Sequence, residues 1–257
     1  MIGLGSVRAL PEQHVTIAPE DHEALRKLIC AFGEIETPAD CGLALQMRLF
    51  SQSILARLPT VPADRVLVQE ALTLEAPDPA GPGEMLYISG SVRQDALSCL
   101  FELEAKRHQT SDRNAARLVA QLKLAEAKVL DSPPIHGAAR VEGPGLNVLI
   151  EASHVAAYAE ISGDVNPIHI DLALVRSLGL RERIVHGSLL ASLIEPALRT
   201  AGFDRQTQKL RMRFMAPAFA GEPLHLTIAG GNPDRARILA SGPDKGIRFM
   251  ADASFAQ

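Results

Sequence analysis

The run VHGSLLASLIEPALRTAG (185–202) carries apolar residues at helical spacing, and KLRMRFMAPAFAGEPLHLTIAG (209–230) follows it as two strand-like runs broken between Pro217 and Pro223. One long apolar helix leading into consecutive strands predicts an α+β layer pair, a curved antiparallel sheet wrapped on that helix. The same order occurs earlier in the chain. GLALQMRLFSQSILARLP (42–59) is helical in period, and VLVQEALTLEAPDPAGPGEMLYISGSV (66–92) gives strand, Pro/Gly turn, strand. Each half then closes with further alternating runs, LSCLFELEAK and ARLVAQLKLAEAKVL in the first and RARILAS and GIRFMADASFA in the second. Self-similarity at so long a period predicts two copies of one unit, paired as an internal pseudo-dimer. The turn-rich stretch DSPPIHGAARVEGPG (131–145) is the expected boundary, giving repeats at 1–135 and 136–257. A single continuous domain with a surface loop at that place is the alternative.

The starts of the halves also correspond, TIAPEDHEALRKLICAFGE (16–34) with LIEASHVAAYAEISGD (149–164), but the segments after them differ. The second half inserts VNPIHIDLALVRSLGLRERIVH (165–186) before its long helix, where the first passes through EIETPADC (34–41). Asp164, Asn166 and His169 therefore occur in a segment present once, broken by Gly163 and Pro167 as expected of a loop that aims polar side chains into a cleft. A carboxylate and an imidazole so placed can share one water, the arrangement that acid and base work requires. Taken alone, Asp and Asn before Pro are ordinary turn formers and a lone His is more often structural. Gly187 lies at the predicted start of the long helix, where unpaired N–H groups suit a developing oxyanion. Close backbone packing is the plainer explanation of that glycine. Ser162 and His186 are expected to make structural hydrogen bonds around the loop.

Composition removes several classes of function. With 257 residues, 47% hydrophobic and 22% charged, the chain can bury a large core. Its net charge of −4 comes without a basic run, so nucleic acid is not an expected partner. Cys30, Cys41 and Cys99 are odd in number and lack CxxC spacing, which predicts neither a disulfide framework nor a metal site and suits a cytoplasmic location. No stretch approaches the roughly 20 apolar residues of a membrane span, so no membrane association is expected. GLGS (3–6) lacks the strand and helix that a phosphate loop needs, so neither a nucleotide nor any other cofactor is expected.

Tyr158, Ser162-Gly163-Asp164, Asn166-Pro167 and His169, together with IVHGSLL, resemble the signature of the MaoC-like, R-specific enoyl-CoA hydratases, which adopt the hotdog fold. FMAPAFAGEPLHL (214–226) is similar to the strand, turn and strand that follow the helix of that fold. The resemblance is clear over roughly residues 140–257 and only structural over 1–135. It implies a double hotdog whose N-terminal repeat is degenerate and lacks the catalytic loop. It also implies (R)-specific hydration of trans-2-enoyl-CoA to (3R)-3-hydroxyacyl-CoA, or the reverse dehydration, on CoA or acyl-carrier-protein thioesters. Carried over by residue, Asp164 and His169 would grip the reacting water, Asn166 would support the loop and the water with help from Ser162, and the Gly187 N–H would bind the thioester oxygen. The chain departs from the family at Leu172, after Asp171, and at the bulky Val175. A degenerate half is free to shape a wider acyl tunnel, and a homodimer of the whole chain stays open. Two other functions remain: a non-catalytic acyl-thioester binding or scaffold subunit, favoured by the eroded N-terminal half, and, more weakly, thioester hydrolysis.

Overall fold

The computed structural model describes residues 6–33, 35, 42–59, 61–62, 65–130 and 143–256. In chain order the first half contains β1 (Ser6–Thr16), α1 (Pro19–Cys30), α2 (Gly42–Leu55), β2 (Arg65–Glu75), β3 (Met85–Gln94), β4 (Ser98–Lys106), β5 (Ala116–Glu126) and α3 (Ala127–Leu130). The second contains β6 (Gly145–Leu149), α4 (Ala152–Ser162), α5 (Pro167–Ile170), α6 (Leu172–Ser177), α7 (Gly187–Ala191), α8 (Ile194–Thr200), β7 (Thr207–Phe214), β8 (Pro223–Asn232), β9 (Arg235–Ser241) and β10 (Ile247–Phe255). The strands form one sheet in the order β1-β3-β4-β5-β2-β7-β10-β9-β8-β6. The two halves of that order are the same series read from opposite edges. They meet where β2 and β7 pair antiparallel, Ala71 opposite Arg213 through Glu75 opposite Lys209. The chain is thus an α+β double hotdog.

Alternation explains which face of the sheet is covered. β4 alternates strictly between buried and half-buried positions, and Cys99, Phe101, Leu103 and Ala105 all point to the core. α2 buries Leu43, Leu45, Leu49 and Phe50, and α7 with α8 buries Leu189, Leu190, Ile194 and Ala197. α2 packs on α7, and α1 on α4, so a single apolar cluster runs through both halves. Burial of about 25 cal/mol per Å² of apolar surface makes this shared interior the main source of cohesion between the halves.

The structure differs from the expectation in one helix and adds a strand that the sequence reading did not contain. The single helix expected over 185–202 is two, α7 and α8, because Pro196 has no N–H for the Ser192 carbonyl and its ring crowds that group. The Ser192 N–H bonds to both Ser188 and Leu189 carbonyls, and the Ser192 hydroxyl donates to the Leu189 carbonyl at 2.6 Å. The N-terminal segment is a full edge strand, β1, with Pro11 inside a register shift between Leu10 and Gln13. Most of the 131–145 stretch, the expected boundary at 135/136 included, lies outside the described residues, as do Cys41 and most of GLGS. Cys30 and Cys99 are free thiols. Among the described residues no helix is long and apolar enough to cross a membrane.

Candidate active site

The segment unique to the second half folds as a chain of small caps. α4 ends at Gly163, whose φ of 75° lies in the left-handed region that glycine enters without cost. The hydroxyl of the buried Ser162 accepts the Asp164 N–H at 3.1 Å, and Asp164 Oδ1 accepts the Asn166 N–H at 3.3 Å. Asn166 caps α5 by accepting the Ile168 N–H, with Pro167 at the first helical position. His169 consequently sits on a one-turn helix and not in the irregular loop expected for it. Asp171 in turn caps α6, accepting the Leu174 N–H at 3.0 Å. Leu172 begins α6, and Val175 is buried in a small cluster with Ile168, Leu180, Ile184 and Phe219. The departure at 175 is therefore absorbed by packing beneath α5, while Leu172 is half-buried and lies outside that cluster.

That packing fixes the state of His169. Its Nδ1 lies 2.6 Å from the Ile184 carbonyl oxygen. A carbonyl can only accept, so Nδ1 carries the proton and Nε2 presents a free lone pair. Burial lowers the imidazole pKa from 6.5 to about 4, and the bond to Ile184 opposes the shift only in part. His169 is thus a neutral imidazole near pH 7, able to receive a proton.

His186 stacks on it, ring centroids 3.8 Å apart and planes at 26°. Its Nε2 donates to the Asp164 carbonyl at 3.0 Å, while its buried Nδ1 has no hydrogen-bond partner among the described residues. Burial and the neighbouring His169 push its pKa down as well. Tyr158 meets its edge at 5.0 Å, and burial raises the pKa of that phenol. His186 therefore makes the structural hydrogen bond expected of it, and also braces the ring of His169.

Asp164, Asn166, His169 and Gly187 all line one cavity of about 1000 Å³, and Ser162 stands behind the loop. The opposite wall comes from the first half: Ile54 and Leu55 of α2, Leu67 of β2, and Leu122 and Leu124 of β5. Among the polar members of that wall that sequence reading missed is Gln69 of β2, which packs against Gly187. The only trace it leaves is an uncharged polar residue inside the apolar run VLVQEAL. Asp164, His169 and His186 offer polar atoms within 4.8 Å of one another, close enough in number and spacing to hold a metal ion. The same three groups are equally suited to holding and deprotonating a water, the carboxylate and the free Nε2 both acting as acceptors.

This architecture is a double hotdog with a polar cluster facing a largely apolar cavity, and comparison with known proteins narrows its class. Residues 133–237 match the MaoC like domain. The chain is 37% identical over 108 residues to the (R)-specific enoyl-CoA hydratase of Aeromonas caviae, an alignment covering 41% of this chain and 75% of that one. It is 31% identical over 77 residues to a mitochondrial 3-hydroxyacyl-[acyl-carrier-protein] dehydratase of Arabidopsis thaliana, covering 30% of this chain and 46% of that one. Among solved structures, HtdX of Mycobacterium tuberculosis superposes with a TM-score of 0.69 at 17% identity, over 98% of this chain and 100% of the other. The chain belongs to the MaoC-like family of hydratases and dehydratases, and is by family a hydro-lyase.

Proposed function

We propose that the protein adds water to trans-2-enoyl thioesters to give (3R)-3-hydroxyacyl thioesters, or runs the reverse dehydration, on CoA or acyl-carrier-protein substrates. The observation that carries this reading is a buried, neutral His169 with Nε2 free, in the same cavity as the Asp164 carboxylate and the Gly187 backbone. Water held between Asp164 and Nε2 loses a proton to the pair as its oxygen bonds to the β-carbon. The double-bond electrons move through the α-carbon onto the thioester oxygen, where the Gly187 N–H meets the developing charge. Return of one proton from the pair to the α-carbon completes the addition. Asn166 and Ser162 hold the loop, and the Asn166 amide nitrogen is left to bind the water.

In this reading residues 136–257 are the catalytic repeat, and 1–135 a repeat that lacks a counterpart of the Asp164–His169 loop and builds the acyl tunnel. The apolar wall contributed by α2, β2 and β5 supports that division of labour, and suits long or bulky acyl chains. The test is the loss of absorbance of conjugated enoyl-CoA substrates, short and long, with wild type and with Asp164→Asn. Activity in the wild type and its near-complete loss in the variant are expected. A folded wild type that binds enoyl thioesters without turning them over would replace the hydratase reading with that of a binding subunit.

A further inference from the structure

Gln69 belongs to the half that carries none of the candidate acid–base residues, yet its side chain reaches the cavity. β2 pairs with β5 up to Gln69 opposite Leu122 and resumes at Ala71 opposite Gln121, so Glu70 is the extra residue of a β-bulge. A bulge re-aims the side chains beside it. Here Glu70 accepts a hydrogen bond from Gln121 at 2.7 Å, while Gln69 projects onto the first residue of α7. A Cβ built on Gly187 would collide with Gln69 Oε1 and lie 3.2 Å from Gln69 Cδ. The carboxamide therefore rests directly on the Gly187 α-carbon, in the cavity that also holds Asp164, Asn166 and His169. Among the described residues it makes no hydrogen bond, although it is half-buried. Its oxygen and nitrogen have the same shape, so a half-turn of the amide puts Nε2 in the place of Oε1.

A thioester carbonyl bound at Gly187 has two lone pairs, and a single backbone N–H satisfies one of them. We infer that Gln69 is the second donor to that oxygen, so that the oxyanion pocket is shared between the two halves of the chain. The inference rests on the hydratase reading above and adds to it a catalytic residue from the repeat without a counterpart of the Asp164–His169 loop. An amide suits the task because it donates at every working pH and brings no charge that would bind the ground state equally well.

The test compares kcat and KM for enoyl-CoA hydration in Gln69→Ala and the isosteric Gln69→Glu, with the urea unfolding midpoint of each. Loss of one oxyanion donor predicts a fall of about 100-fold in kcat for Gln69→Ala, with KM changed by less than about threefold. Gln69→Glu keeps the packing, places a carboxylate against the oxyanion, and should be at least as slow at pH 7.5. It should regain activity toward pH 5 as the carboxyl takes up a proton and can donate, where the wild type stays level. Gln69→Ala within about threefold of wild type in kcat, or Gln69→Glu without the acid recovery, overturns the inference while an inactive Asp164→Asn leaves the hydratase reading standing. A wild type inert toward enoyl thioesters removes that reading itself and this role with it. If Gln69→Ala lowers the unfolding midpoint, Gln69→Glu alone decides.

Discussion

Replacing His169 by Asn tests the electrostatics of the site, because Asn keeps an N–H that can reach the Ile184 carbonyl and removes the Nε2 lone pair. Loss of a general base predicts a fall of about 10²–10⁴ in kcat. The wild-type pH profile carries the sharper expectation. An imidazole at its ordinary pKa of 6.5 would be about nine-tenths protonated at pH 5.5, so a base of that kind would retain only about one tenth of its pH 7.5 rate. Buried His169, with its pKa near 4, stays almost wholly neutral at pH 5.5, and the limb of kcat/KM that reports it should be centred near pH 4. Stability follows the same titration. The unfolded chain takes up this proton below about pH 6.5, and the native imidazole takes it up only near pH 4. The contribution is therefore complete above pH 6.5 and is lost as pH falls toward 4, at about 3 kcal/mol for a shift of this size. Urea titrations from pH 4 to pH 7.5 should show wild type losing more stability than His169→Asn by about that amount, His186 contributing in both. A tenfold drop in wild-type rate between pH 7.5 and 5.5, or parallel stability profiles for the two proteins, would refute the reasoning.

Gly187→Ala puts a methyl into the Gln69 carboxamide and 3.2 Å from Phe214 Cζ; the flexible amide can yield, so the unfolding midpoint should fall by no more than about 2 kcal/mol equivalent while kcat falls at least tenfold. Leu122→Trp fills the wall contributed by β5 and should lower kcat/KM for long enoyl-CoA substrates by tenfold or more while leaving four-carbon substrates within about threefold, a ratio read from paired rate measurements.

The repeated order of helix and strands was legible because each element carries its own period, 3.6 residues for GLALQMRLF and two for SCLFELEAK. Asp164, Asn166 and His169 were legible because a sequence of caps brings them together within six residues, and local hydrogen bonds carry that information. The helix break was not read, because the continuous apolar face on either side of Pro196 masked the effect of its missing N–H. Other features depend on contacts distant in sequence. The stacking of His186 on His169 arises only when the segment from α5 to α7 closes over the cluster around Val175, and the local motif IVHG does not encode it. Gln69 enters the site through a single extra residue in β2 and the seam between β2 and β7. Periodicity over so few residues cannot register a bulge, and it says nothing of which strand lies against which helix start.

The most direct test of the proposed chemistry is the configuration and composition of the product formed from trans-2-enoyl-CoA, determined by chiral chromatography of the hydroxyacyl product with parallel titration of free thiol. The 3R alcohol alone, no release of free CoA, and no product from Asp164→Asn are the expected results. A 3S or racemic alcohol, or stoichiometric free thiol, would contradict the assignment.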